Sequence, residues 1–244
     1  MIFRGGPNVC GVPIGILGLE TYYAKLPGHV KNASTFDYPV IYKNVKGAVV
    51  EKLLHAPDPS LLAPFLQAVR ELEAEGVRAI AGSCGFLAAF QHELAEAVNV
   101  PLFTSSLMLV PLVSRMLKGN QKVGVVTASK RGLTQKHLYA VGCEGVPMVV
   151  AGMDDLPEFR EVILENKRVE LDGRKLQDEI VSVAIALVEN NPDIGAVVLE
   201  CTEMPVYAHL IQERVHLPVF DLITLTNMVC AASVRTPFQG IMPR

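Results

Sequence analysis

The sequence lacks the features that mark membrane proteins and nucleic-acid-binding proteins. No apolar run reaches the roughly 18 residues that a membrane-spanning helix needs, and the first residues lack the apolar core of a signal peptide. Lysine and arginine form no run, and the formal net charge of the 244 residues is only −3. This balance offers no strongly basic surface to nucleic acid or an anionic membrane. We therefore expect a cytoplasmic protein with neither kind of partner.

The sequence also lacks the signatures of common cofactor and metal sites. It contains no phosphate-binding loop of the G-x-x-x-x-G-K-S/T type and no Cys-x-x-Cys pair, and its six histidines are scattered without a His-x-His array. Five cysteines are an odd number for a disulfide framework, so reduced thiols are expected. No metal ion and no organic cofactor is predicted.

What the chain does contain is a repeated pattern of apolar strands and amphipathic helices. Half of the residues are hydrophobic, which is enough for a substantial core. The alternation predicts an α/β fold with parallel sheets covered on both faces. The apolar strand at 12–19 has a counterpart at 122–127, which predicts two similar lobes, 1–105 and 106–216. The last segment, 217–244, is expected to return to the first lobe.

The individual elements follow from periodicity and from proline, glycine and capping residues. The predicted strands cover residues 12–19, 77–82, 101–104, 122–127, 146–151, 196–199 and 219–220. The predicted helices cover residues 58–76, 87–98, 107–117, 130–141, 158–166, 172–190, 206–215 and 222–234. Residues 21–45 show little periodicity and are predicted to form a long loop. Loops of that length inside compact domains are usually functional or disordered, so this loop is a candidate lid.

Two short stretches, 78–86 and 196–204, look like copies of one another. Each is an apolar run of strand length that ends at a cysteine, Cys84 or Cys201. Each cysteine is followed by a proline after the same interval, 17 positions, at the entrance of another strand. Ligands of parallel α/β sheets collect outside the carboxyl ends of the strands. The repeat therefore predicts two thiols that flank one cleft between the lobes.

Two facing thiols suit proton transfer at carbon. A thiol whose pKa is shifted toward neutrality donates a proton, or accepts one when ionised. Two of them can take a proton from one face of a carbon and return it to the other, which inverts a stereocentre. The developing enolate needs fixed donors, and backbone N–H groups at the start of the following helix suit that role. Cys10, Cys143 and Cys230 lack this setting and are expected to be inert.

The residues beside the cysteines and at the ends of the opening strands complete the predicted site. Ser83 and Thr202 offer hydroxyl groups, and Glu203 offers a carboxylate to a neighbouring group or to a substrate amine. The predicted catalytic residues are Cys84 and Cys201. The predicted substrate-binding residues are Glu20, Ser83, Gly85, Phe86, Thr127, Thr202 and Glu203.

At these motifs the chain resembles the aspartate/glutamate racemase superfamily of cofactor-independent, two-cysteine enzymes, which also includes hydantoin racemases and a maleate isomerase. The run Leu-Glu-Cys-Thr-Glu-Met-Pro at 199–205 is similar to the second-cysteine motif of aspartate racemases, and the strands at 14–17 and 123–127 are similar to the openings of the two lobes. The resemblance implies that Cys201 is an acid/base, Thr202 a ligand of the substrate carboxylate and Glu203 a polar support. It places Thr127 near the substrate.

The chain departs from this pattern after the first cysteine. Amino-acid racemases usually carry Asn-Thr there, and these side chains hold the substrate, whereas this chain has Gly85 and Phe86. The departure disfavours aspartate and glutamate as substrates. The leading hypothesis is a racemase or epimerase that acts beside the carboxylate or amide of a small molecule, such as a carboxylate or a cyclic amide. A cysteine-dependent cis–trans isomerase of a dicarboxylate and a non-enzymatic ligand-binding module are the alternatives. A homodimer is one expectation for the assembly.

Overall fold

Two four-stranded parallel sheets with the same strand order form the centre of the computed structural model, which describes residues 2, 5–7, 9–54 and 57–242. The first sheet has the order β2-β1-β3-β4 and the second β6-β5-β7-β8. The predicted α/β fold with two similar lobes is thereby confirmed. The strands are β1 (Ile14–Gly18), β2 (Val40–Asn44), β3 (Ala79–Gly82), β4 (Leu102–Phe103), β5 (Lys122–Thr127), β6 (Met148–Gly152), β7 (Ile194–Leu199) and β8 (Val219–Phe220).

Helices connect the strands and cover the sheets. They are α1 (Leu62–Ala74), α2 (Gln91–Ala95), α3 (Leu109–Ser114), α4 (Gln135–Ala140), α5 (Pro157–Phe159), α6 (Gly173–Glu189), α7 (Ala208–Val215) and α8 (Leu222–Ser233). Short 3-10 turns at Gly85–Phe90 and Met204–Tyr207 follow the two cysteines. Within the part of the chain that is described, none of these helices combines the length and the apolarity needed to cross a bilayer.

The alternation of side chains along the central strands divides the core into two clusters. Ile16 of β1 and Val125 of β5 lie in one cluster, to which both sheets contribute. The neighbouring residues Leu17 and Val126 point to the opposite faces and belong to the other cluster, which includes α1 and α6. Successive residues of a strand face opposite sides of its sheet, so buried strands need apolar residues at nearly every position. This explains why these strands read as continuous apolar runs.

The last helix of each lobe crosses to the other lobe. Helix α3 follows β4 of the first sheet but packs against β5 and β7 of the second, and α8 follows β8 of the second sheet but packs against β3 of the first. Strand β8 itself is paired with β7. In the described part of the predicted segment, 217–242, the strand thus completes the second sheet and the helix that follows reaches the first lobe.

Several local predictions differ from the structure, including the following three. The predicted loop at 21–45 contains β2, a half-buried edge strand whose Val-Ile-Tyr run has high β propensity. The helix predicted at 87–98 begins as a 3-10 turn, and its α-helical part is only α2. The helix predicted at 130–141 begins later, at α4, because Thr134 and His137 form a capping box there.

The packing of α1 predicts a large loss of stability for one substitution. Phe65 is fully buried and its ring lies 6.2 Å from that of Phe90. We expect Phe65→Ala to lower the free energy of unfolding by about 3–5 kcal/mol, the cost of a large aromatic side chain and the resulting cavity. Urea denaturation followed by circular dichroism measures this. Met116→Ala, at a side chain that is 63% exposed, is the control and should change stability by less than about 0.5 kcal/mol. Equal effects of the two changes would contradict this packing.

Candidate active site

Both predicted catalytic cysteines line one crevice between the lobes. Cys84 follows β3 and Cys201 follows β7, the equivalent strands of the two sheets. The space between the atoms that line the crevice is about 360 Å³ including the part open to solvent, and about 20 Å³ of it is free for a water-sized molecule. Its lining consists of Leu19, Thr21, Tyr23, His29, Lys31, Val50, Ser83, Cys84, Phe86, Ile163, Glu200, Cys201, Thr202 and Glu203. The fold therefore brings two sulfur atoms from repeated motifs to a single cavity.

Cys84 lies at the start of a 3-10 turn and is half-buried. Its backbone is extended, and the N–H groups of Phe86 and Leu87 point toward its sulfur. Burial raises the pKa of the Cys84 thiol, the nearby Glu200 carboxylate raises it further, and the two N–H groups oppose both effects. At neutral pH this cysteine is therefore a thiol, with donors already in place for a thiolate.

Cys201 is more deeply buried and hydrogen-bonded to a carboxylate. Its Sγ donates to Glu203 Oε2 at 2.7 Å, and the residue is only 8% exposed. Burial raises the pKa of Cys201 well above its usual range, and the negative charge of Glu203 adds to this effect. The two thiols thus have different surroundings, although they come from equivalent strands.

Glu203 is held by donors from the segment that was predicted to be a loop. The Tyr23 hydroxyl and His29 Nε2, at 3.0 Å, both bond its Oε1. His29 Nδ1 accepts the backbone N–H of Lys31, which leaves the ring proton on Nε2 as the donor to Glu203. Burial raises the pKa of Glu203, but the hydrogen bonds from His29, Cys201 and Tyr23 outweigh burial and bring the pKa to about 2. Glu203 is consequently ionised at neutral pH.

Two hydroxyl groups fix the loops that carry the cysteines. Thr202 Oγ1 donates to the backbone carbonyl of Ser83 at 3.1 Å, and Ser83 Oγ accepts the backbone N–H of Leu19 at 3.1 Å. Both side chains are buried. These contacts fix the cysteine loops relative to each other and to β1.

The other predicted site residues lie behind or beside the lining. Glu20 accepts from the Tyr22 hydroxyl and from the N–H of Gly47, and it lines a neighbouring pocket. Thr127 is fully buried, and its hydroxyl donates to Glu200 at 2.8 Å. Gly85 packs directly against Glu200, so a Cβ at this position would overlap that carboxyl group. The roles of all the predicted residues remain predictions.

Sequence reasoning missed Tyr23, His29 and Lys31, which the segment 21–45 contributes to the crevice. Lys31 Nζ donates to the carbonyl of Leu19 at 2.7 Å. Burial lowers the pKa of Lys31, and the charges of Glu203 and Glu20 act in the opposite direction. The aromatic content of this segment signalled that it packs, but nothing in the sequence indicated which of its polar residues would face the thiols.

Glu200 was also missed as a site residue. It is 1% exposed, and its Oε2 accepts from the Thr127 hydroxyl and from the N–H of Ala128 at 2.9 Å. Its Oε1 has no hydrogen-bond partner among the described residues. Burial raises the pKa of Glu200 to about 7, although the two donors oppose the shift. The carboxyl group therefore changes its protonation state near neutral pH.

The raised pKa of Glu200 predicts a characteristic dependence of stability on pH. Between the unfolded pKa of 4.5 and about 7, the folded chain retains a proton that the unfolded chain releases, so wild-type stability falls as the pH rises. The loss amounts to about 3 kcal/mol by pH 8. Because Glu200→Gln lacks this loss, the variant should gain stability relative to wild type between pH 5 and pH 8. Urea denaturation at both pH values measures the difference. A constant difference would contradict the raised pKa.

Comparison with known proteins places this crevice among related enzymes. A sequence model of the Asp/Glu/hydantoin racemase family matches residues 22–227. A dimethylsulfoniopropionate lyase of Durusdinium sp. clade D is 29% identical over 96% of this chain and 79% of its own length. Dimethylsulfoniopropionate lyase 7 of Emiliania huxleyi is 30% identical over 96% of this chain and 71% of its own length.

A solved structure shares the fold at low sequence identity. The allantoin racemase of Klebsiella pneumoniae superposes with a TM-score of 0.62 at 18% identity, over 89% of this chain and 86% of the racemase. At this level of identity the similarity concerns the arrangement of the two lobes. The enzymes with this arrangement include racemases and the relatives above include lyases, so the architecture by itself is compatible with more than one reaction.

Proposed function

Because the chain belongs to the Asp/Glu/hydantoin racemase family, we propose that it removes a proton from the carbon next to the carboxylate of a small substrate without a cofactor. We further propose that a β-sulfonium group then leaves, as in a dimethylsulfoniopropionate lyase. The observation that carries this proposal is the position of Cys84 and Cys201 on one crevice. The lyase reaction is proposed from the two relatives named above.

The proposed reaction is an elimination that balances without a further reactant. A thiolate takes the proton from carbon 2, and the C–H electron pair becomes the double bond between carbons 2 and 3. The bond between carbon 3 and sulfur breaks, and its electron pair leaves with sulfur as neutral dimethyl sulfide. Acrylate remains, and the proton on the thiol passes to solvent. The hydrogen beside a carboxylate is weakly acidic, so fixed donors must stabilise the charge that develops on the carboxylate.

The lining offers complementary groups for such a substrate. Lys31 lies on the crevice and supplies a positive charge for a carboxylate. The side chains of Leu19, Val50 and Phe86 supply apolar surface for methyl groups. A sulfonium carries no hydrogen-bond donor, so apolar and aromatic contacts together with negative charge are what can recognise it. The departure at Gly85 and Phe86 from the racemase pattern fits a substrate of this kind better than an amino acid.

The unequal surroundings of the two thiols favour elimination over racemisation. Racemisation needs two proton transfers, one at each face of the same carbon, and is best served by acids of similar strength. Here Cys84 faces backbone N–H groups, whereas Cys201 donates to the ionised Glu203. Elimination needs a single proton abstraction at carbon, so only one of the two thiols has to exchange a proton with the substrate.

Racemisation is the second candidate, since the equivalent placement of the cysteines in the two lobes supports it. The two reactions share the carbanion and differ in its fate. A substrate with a leaving group on carbon 3 loses that group, and a substrate without one recovers a proton on either face. Loss of optical rotation by a chiral 2-substituted carboxylate, without release of a sulfide, would establish the second candidate.

Substitution of the cysteines tests the proposed function. We expect wild type to release dimethyl sulfide from dimethylsulfoniopropionate, and Cys84→Ser and Cys201→Ser to lower kcat/KM by at least about 100-fold, because serine is a far weaker acid than cysteine. Headspace gas chromatography measures the sulfide. Cys10→Ser, at an exposed cysteine away from the crevice, should retain wild-type activity. If both crevice variants match wild type, the thiols do not perform the reaction.

A further inference from the structure

One buried carboxylate oxygen in the crevice is without a partner. Glu200 is anchored through Oε2 to the Thr127 hydroxyl and the Ala128 N–H, at 2.8 and 2.9 Å. Its Oε1 is buried and accepts no hydrogen bond from the described residues, and Glu200 is one of the residues that line the crevice. An unpaired buried carboxylate oxygen is costly and is rarely left without a purpose. A group that enters the crevice from outside is the natural partner for it.

Gly85 makes room for this oxygen beside the first cysteine. A Cβ at position 85 would overlap Glu200 Oε1, so any other residue would displace the carboxyl group. The carboxyl group of the second lobe thus occupies the space where a side chain of the first lobe would lie. This position is next to Cys84, and the charge of Glu200 acts on the thiol of that residue.

Glu203, the other carboxylate that lines the crevice, already has hydrogen-bond donors on both oxygens. Glu203 receives hydrogen bonds from Tyr23, His29 and Cys201 through its two oxygens. Of the two carboxylates on the lining, only Glu200 therefore presents an oxygen that can meet a substrate. Lys31 supplies a positive charge on the same lining. A molecule with a carboxylate and a cationic group would match both charges.

We propose that Glu200 Oε1 binds the positively charged group of the substrate and thereby selects zwitterionic carboxylates over carboxylates of the same shape that lack the positive charge. The identity of the cation as a sulfonium rests on the proposed function, but the selection by charge does not. Pairing with a cation compensates the cost of the buried carboxylate. A positive charge held here also lies close to Cys84, where it favours the thiolate that elimination requires.

Several titratable groups face Glu200 across the crevice. They are Cys84, Cys201, Glu203, Tyr23, His29 and Lys31. Burial keeps both thiols and the Tyr23 hydroxyl protonated, and Glu203 stays ionised with a pKa of about 2. Glu200 itself has a pKa of about 7. The affinity of wild type for a cation should therefore rise between pH 6 and pH 8. In Glu200→Gln this rise should be smaller, and the difference between the two proteins is the contribution of Glu200.

A matched pair of unreactive ligands tests the inference. 3-(Trimethylammonio)propionate and 4,4-dimethylpentanoate have the same shape and differ in one positive charge. In isothermal titration calorimetry at pH 8, wild type should bind the ammonium compound at least 10-fold more tightly than 4,4-dimethylpentanoate, which lacks the positive charge. Glu200→Gln retains the anchor to Thr127 and should abolish this preference by weakening only the ammonium compound. Asp221→Asn, which changes a buried carboxyl group outside the crevice, should behave like wild type.

The results of this experiment can contradict the role of Glu200 and the proposed function separately. Equal binding of the two ligands by wild type, no binding of either, or an undiminished preference in Glu200→Gln would overturn the inference. If the glutamine variant does not fold, the wild-type preference and its rise between pH 6 and pH 8 decide instead. A preference for the ammonium compound without any release of dimethyl sulfide from dimethylsulfoniopropionate would refute the proposed function but retain the role of Glu200.

Discussion

The site depends on one buried negative charge, the carboxylate of Glu203. An ionised group away from water is stable only when donors surround it, and here three donors come from two separate parts of the chain. Tyr23 and His29 lie in the segment after β1, whereas Cys201 lies after β7. The charge therefore determines where that segment sits, and it holds the second thiol in one orientation. The same interaction that stabilises the charge also shapes the crevice.

The two neighbouring glutamates show how environment assigns different roles to the same side chain. Glu203 has hydrogen-bond donors on both oxygens and a pKa of about 2, whereas Glu200 has donors on one oxygen and a pKa of about 7. Burial acts on both in the same direction, so the number and kind of donors make the difference. Pairs of titratable groups whose pKa values are pushed apart are typical of active sites. At neutral pH this crevice thus combines the permanent negative charge of Glu203 with the carboxyl group of Glu200, whose charge changes with pH.

Most of the fold could be predicted from the internal repeat, because buried parallel strands and cysteines at matched intervals are visible in a single sequence. The equal strand order of the two sheets follows from that repeat. The contacts of Glu203 could not be predicted, since Tyr23 and His29 precede it by 180 and 174 positions and no local pattern marks them. Glu200 was visible as a charge beside an apolar strand, but only tertiary packing shows that its side chain enters the crevice. Strand β2 was missed because its sequence, Val-Ile-Tyr-Lys-Asn, lacks the apolar–polar alternation that usually marks a half-buried strand.

The crossed helices α3 and α8 make the two halves of the repeat inseparable. Each half covers the other's sheet, and residues of both sheets share one core cluster with these helices. Neither half can bury its own sheet alone, so the duplication must fold as a single cooperative unit. A hinge between the halves would have to strip a helix from each sheet, which opposes wide opening. We therefore expect access to the thiols to depend on local movement of the segment that contributes Tyr23, His29 and Lys31 to the crevice.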